Sequence, residues 1–133
     1  MSFNTLNPWA ILVAALSAFA IGGLWYAPFL FGSAWKRANG FSQDPPAAGP
    51  RVFLLTLLFS LVMSVNLAMF LNNPKTTTAF GATAGFLAGF GWVAMGIATV
   101  ALFEHRPWRY ILINGGYLTV SLTAMGTILG AWR

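Results

Sequence analysis

The chain has 133 residues, 58% of them hydrophobic and only 7% charged, where a soluble domain carries about a quarter charged residues. A fold this short leaves much of its surface uncovered, so so apolar a chain excludes water as its main solvent and fits a bilayer. Seven Lys and Arg stand against Asp44 and Glu104 for a net charge of +5; they are spread over connecting segments, which suits topology signals and lipid headgroups and argues against nucleic acid.

A helix needs roughly 20 apolar residues to cross a hydrocarbon core of about 30 Å. Four stretches qualify, at about residues 8–26, 52–71, 79–103 and 110–132. The expected fold is all-α: one membrane domain over residues 1–133, a four-transmembrane-helix bundle with a short interfacial helix after the first span. Uninterrupted apolar runs lack the in/out alternation of a membrane barrel.

The first stretch contains Ala18-Phe19-Ala20, which has the small-x-small form of a signal cleavage site, but nothing charged precedes Lys36 except the α-amine. Without a basic n-region it reads as a mature helix, and a chain beginning at Ile21 would overturn that reading. In the segment that follows, Phe31, Ala34, Trp35 and Ala38 recur at helical spacing between Pro28 and Gly40. This predicts a short helix in the inner interface, with Phe31 and Trp35 in lipid and Lys36 and Arg37 toward anionic headgroups. Residues 42–50 are turn-rich punctuation.

The second stretch begins after Arg51 and closes at Asn72-Asn73-Pro74. Its polar feature is Asn66 with Ser60 and Ser64, expected to make an interhelical hydrogen bond near the outer end. In the third stretch, Gly81, Gly85, Gly89, Trp92 and Gly96 fall within an arc of roughly 80° at 100° per residue. Close backbone approach over small residues drives helix association in lipid, so this face should meet another helix, either within the chain or in a homo-oligomer or partner. Gly126 and Gly130 of the fourth stretch repeat the idea more weakly, and Gly22-Gly23 stand in the first.

Tyr110, Asn114, Tyr117 and Ser121 share one face of the fourth stretch at i, i+4, i+7 and i+11. Trp25, Tyr26, Glu104, His105 and Arg106 are expected at the same depth. These groups either converge on a partly buried carboxylate or leave Glu104 and His105 in an ordinary interfacial turn. Trp9, Trp25, Tyr26, Trp108, Tyr110 and Trp132 lie near span ends, where amphipathic rings favour the headgroup level. Lys36, Arg37, Arg51, Arg106 and Arg109 fall on one side and Lys75 and Arg133 on the other, which places the first side in the cytoplasm and both termini outside.

Reaction chemistry is sparse. One His, two acids and no Cys make no convincing hydrolytic triad, two-His metal site, dicarboxylate pair or thiolate centre. The glycines of the third stretch lie inside a span, so they form no nucleotide loop.

In Trp25-Tyr26-Ala27-Pro28-Phe29-Leu30-Phe31-Gly32 and Trp35, with Gly89-Phe90-Gly91-Trp92, Phe103-Glu104-His105-Arg106 and Asn114-Gly115-Gly116-Tyr117, nearly the whole chain resembles a widespread bacterial domain-of-unknown-function family of small four-helix membrane proteins. The W-Y-x-P-x-x-F-G string is the most specific part. The resemblance implies the architecture and a bacterial inner membrane, and carries over no catalytic residue.

The expected function is therefore non-catalytic: a multi-pass protein acting through helix packing, as a homo-oligomer or an accessory subunit of a membrane complex, with no catalytic, cofactor or metal residues. Its partners would be membrane lipids and other membrane subunits or itself. A small channel or transporter with a pathway past Tyr117, Asn114 and Glu104 is the alternative. A lipid- or pigment-binding helper is a third, with His105 as its sole candidate ligand.

Overall fold

The computed structural model describes residues 5–40 and 49–132, and the described residues contain helices and turns but no strand. The helices are α1 (Pro8–Trp25), α2 (Gly32–Ala38), α3 (Pro50–Phe70), α4 (Thr78–Phe103) and α5 (Trp108–Ala131). All except α2 are long and apolar enough to cross a membrane, which makes this a multi-pass membrane protein. Most of the turn-rich 42–50 segment, and Arg133, lie outside the described residues.

Local chemistry sets the helix ends. The Asn7 carboxamide oxygen accepts from the N–H groups of Trp9 at 3.0 Å and Ala10 at 3.3 Å, with Pro8 in the first turn, satisfying donors that a helix N-terminus leaves unpaired. Thr77 caps α4 in the same way, its hydroxyl accepting from Phe80 N–H at 3.1 Å. Pro50 opens α3, where a missing N–H costs nothing. Gly40, after α2, has φ +72°, a left-handed conformation that glycine adopts without steric penalty.

Helix α5 is the centre of the arrangement. It packs along α4, against α1, against α2 at one end, and to a smaller extent against α3, which leans mainly on α1. The core joins Ala10, Ala14 and Ala18 of α1 to Leu67, Ala68 and Leu71 of α3 and Leu122, Met125 and Leu129 of α5. The alanines recur every four residues and are fully buried, a small-residue stripe over which helices approach closely. Helices α3 and α4 occupy the two flanks with a groove between them.

Within α4, residues Leu87–Ala94 form a π-helical stretch. Its wider i→i+5 turns shift the phase of everything after Gly89. Gly81, Gly85 and Gly89 face inward at spacing four, and the next wholly inward residue is Ala94, five further on. Trp92 is 83% exposed and Gly96 has nothing within 4 Å of the position of a Cβ. The five-residue face expected from a uniform 100° step is thus three residues long.

Candidate functional site

The string Trp25 to Gly32 builds the turn that links α1 to α2. Phe31 N–H donates to the Trp25 carbonyl at 3.1 Å, and Leu30 and Gly32 N–H both donate to the Ala27 carbonyl at 3.0 Å. A side chain on Gly32 would meet the backbone of Tyr26 and come within 2.9 Å of the Ala27 carbonyl carbon. Glycine here lets the chain fold back on itself, so that α2 lies against α5 and the two aromatic residues before the turn point inward.

Those aromatics form a hydrogen-bonded cluster with α5. Tyr26 Oη donates to Asn114 Oδ1 at 2.6 Å, and Asn114 Nδ2 donates to the Tyr110 carbonyl at 3.0 Å. Trp25 Nε1 donates to the Ile113 carbonyl at 2.9 Å, and Tyr117 Oη to the Ala18 carbonyl at 3.1 Å. The Tyr26 ring stands edge-on to Tyr117 at 5.4 Å and to Trp35 at 5.9 Å. Glycines make the room: a Cβ on Gly22 would lie 3.1 Å from Tyr117 Oη, and one on Gly116 would lie 3.0 Å from Trp25 Cζ2. Trp25, Tyr26, Asn114 and Tyr117 are thus each tied to a neighbouring helix or to the preceding turn, whereas the hydroxyl of Ser121, on the same face of α5, is buried with no hydrogen bond among the described residues.

Glu104 and His105 stand outside it. His105, at φ 59°, sits in the left-handed position that ends α4; its N–H donates to the Leu102 carbonyl at 3.2 Å, and Arg106 N–H donates to the Ala101 carbonyl at 2.9 Å. That pair of bonds is a Schellman stop, and it turns both side chains into the exposed surface. Among the described residues Glu104 pairs with Arg106, at 3.6 Å, in a half-exposed ion pair, a type that contributes about 0–1 kcal/mol. Arg106 touches the rim of the cluster, its guanidinium 5.3 Å from the Tyr110 ring centroid.

Around α2 the placement is mixed. Phe31 is exposed and packs its ring 4.7 Å from that of Trp25. Trp35, expected in lipid, turns inward to Tyr26, because the Gly32 turn presents that face of α2 to α5. Lys36 is half-buried and Arg37 exposed.

The glycine face of α4 is used inside the chain. A Cβ on Gly81 would run into the Gly126 carbonyl oxygen and lie 2.9 Å from Gly130 Cα, and one on Gly89 would lie 2.7 Å from Thr119 Cα. Backbone therefore rests on backbone at three successive glycines, over about two turns. On α3, Ser64 Oγ donates to the Ile11 carbonyl at 2.8 Å and supplies the expected interhelical bond, whereas Asn66 is exposed on another side of the helix. Two residues are a 200° step, so Ser64 and Asn66 cannot face one neighbour.

Two features were not foreseen in the sequence. The stripe Ala10, Ala14 and Ala18 has a visible signal in its i+4 spacing of small residues. The groove between α3 and α4 has no local signal; it encloses about 510 Å³ between Asn66 and Phe70 on one wall and Thr83 and Trp92 on the other, above Leu122.

Comparison with known proteins gives a family and little else. A stretch of 72 residues, 52% of this chain, is 35% identical to the ABC transporter ecdL of Aspergillus rugulosus, and the match spans only 5% of that protein's length. No solved structure matches. A match over residues 9–130 to the family described as Protein of unknown function (DUF1761) covers nearly all the sequence, and the chain belongs to that family.

Proposed function

We propose that the protein is non-catalytic and works by presenting helix surfaces within the membrane, assembling with copies of itself or serving as an accessory subunit of a larger membrane complex. The observation that carries this reading is the division of labour among the spans. Helix α5 spends its small-residue face on α4, while α3 and α4 leave most of their surface uncovered on either side of an open groove. The polar groups support it as well, since Tyr26, Asn114, Trp25 and Tyr117 are engaged in internal hydrogen bonds and Glu104 and His105 face outward.

In this reading the protein lies in a bacterial inner membrane, with Lys36, Arg37, Arg51, Arg106 and Arg109 at the cytoplasmic face, both termini outside, and α2 against anionic lipid headgroups. Extraction in mild detergent followed by native mass measurement tests it. The expected result is a multiple of the 14.3 kDa chain, or the chain with a fixed companion; a lone chain in detergent and in vesicles overturns it.

Transport has less behind it. A pathway past Glu104, Asn114 and Tyr117 would have to open the Tyr26–Asn114 and Tyr117–Ala18 bonds, and the likeness to an ABC transporter spans only 5% of that protein. Solute flux in liposomes that is lost in Glu104→Gln and Asn114→Ala would favour it instead.

A further inference from the structure

We infer that the groove between α3 and α4 receives α3 from a second copy of this chain, so that two α3 helices pair in parallel with Asn66 against Asn66. This rests on the assembly reading above and names its partner. Asn66 lines the groove and is exposed four residues before the end of α3, about 6 Å inside the span at 1.5 Å per residue. Its Nδ2 donates to the Val62 carbonyl at 2.9 Å, and its carboxamide oxygen has no partner among the described residues. An amide left facing hydrocarbon is costly, and pairing it across helices relieves that cost.

A second observation points the same way. Val52, Leu55, Phe59, Val62 and Asn66 are all exposed and are spaced by three, four, three and four residues, a stripe that runs along α3 beside the groove and meets its lining at Asn66. That is the a/d repeat of a helix pair, with Asn66 at an a position, where a single Asn sets register and partner number. The opposite face of α3, with Ser60, Ser64 and Leu67, is already buried. Helix α3 therefore has one face committed inside the chain and one heptad-patterned face free.

The occupant follows from symmetry and chemistry. Copies inserted with one topology carry Asn66 at one depth, so a two-fold axis along the membrane normal brings the two carboxamides together. Each offers a donor and an acceptor, and the group is its own complement. A lipid tail offers neither, and an unrelated helix would need a polar group at the same depth.

Because the chain has no Cys, single cysteines report the contact cleanly. Leu55→Cys and Val62→Cys should form disulfide-linked dimers on oxidation in phospholipid vesicles, whereas Leu54→Cys and Leu58→Cys, also exposed but off the stripe, should not. Energy transfer on dilution into excess lipid should show dimerisation weakened about tenfold by Asn66→Leu and largely kept by Asn66→Gln, which retains the amide. Cross-linking equally strong off the stripe, wild-type association of Asn66→Leu, or a different subunit seated on the Asn66 face would overturn this inference and leave the assembly reading standing. A chain that stays monomeric at every lipid dilution would overturn this inference and the self-assembly arm of the reading above, and absence of a fixed companion on native extraction would overturn the rest.

Discussion

Gly85→Ala adds one methyl group where α4 crosses α5, and the structure fixes what it meets. The new Cβ would run into the Leu122 carbonyl oxygen, 2.8 Å from its carbon and 3.1 Å from Thr123 Cα. Non-bonded carbons ordinarily sit about 3.5–4.0 Å apart, so α4 must retreat by roughly 0.5–1 Å, which forfeits a quarter to a half of the dispersion attraction along the contact. Overpacking of this kind costs about 1–3 kcal/mol, offset by about 1 kcal/mol because Ala is the better helix former. With the lost contacts added, we expect Gly85→Ala to destabilise the fold by about 2 kcal/mol. Gly96→Ala is the matched control: a Cβ there meets nothing within 4 Å, so the propensity gain stands alone and stability should be unchanged or rise by up to about 1 kcal/mol. Reversible unfolding in mixed micelles, titrated with a denaturing detergent and followed by circular dichroism, compares the two. A Gly85→Ala protein within about 0.5 kcal/mol of wild type, or a Gly96→Ala protein equally damaged, would refute the packing of α4 on α5 described here.

Three further outcomes follow from the end of the bundle that carries α2. In a double-mutant cycle of Tyr26→Phe and Asn114→Leu, the 2.6 Å bond between the side chains should give a coupling of about 0.6–1.7 kcal/mol, measured by the same titration; no coupling would mean that the bond does not form in lipid. His105→Gly should be neutral or stabilising by about 1 kcal/mol, since the left-handed position at φ 59° suits glycine, while His105→Val should destabilise; a ligand role for His105 would instead show as loss of a bound group in both variants. Glu104→Gln should change the unfolding free energy by less than about 0.5 kcal/mol, because its ion pair with Arg106 is half-exposed, and a larger loss would place the carboxylate in the cluster after all.

The four spans were legible because each carries its own boundaries. Pro28 follows the first, Arg51 precedes the second, and Asn72-Asn73-Pro74 and Glu104-His105-Arg106-Pro107 close the second and third; the observed ends fall within two residues of those expected, with Asn7, Pro50 and Thr77 setting the starts of α1, α3 and α4. The aromatic cluster was partly legible for a related reason. Tyr110, Asn114 and Tyr117 lie on one regular helix, so the 100° step holds between them, and Trp25 and Tyr26 reach the same depth by span length alone. Trp35 was misplaced because the direction of α2 depends on how tightly the chain reverses at Gly32, a backbone contact with no periodic signature. Glu104 and His105 were grouped with the cluster on depth, but a left-handed residue at a helix end rotates its neighbours away from the face that the helix would have continued.

The glycine face shows where a phase argument stops working. From Gly81 to Gly89 the residues of α4 obey the uniform step and meet α5. Beyond that the π-helical turns add a residue, and the inward series continues as Ala94, which lies against the position of a Gly115 Cβ at 3.1 Å, and then Ala101. A change of one residue at Leu87–Ala94 thus moves Trp92 from the helix-packing face expected for it to the groove wall and leaves Gly96 beside open space. The consequence reaches the proposed assembly. Had α4 kept an ordinary pitch, Trp92 would have occupied the contact with α5; because it does not, it lines the groove on the side of α4 that looks toward Asn66. The irregularity in the middle of one span therefore carries the inward series on from Gly89 to Ala94 and at the same time furnishes the aromatic wall against which a second α3 would rest.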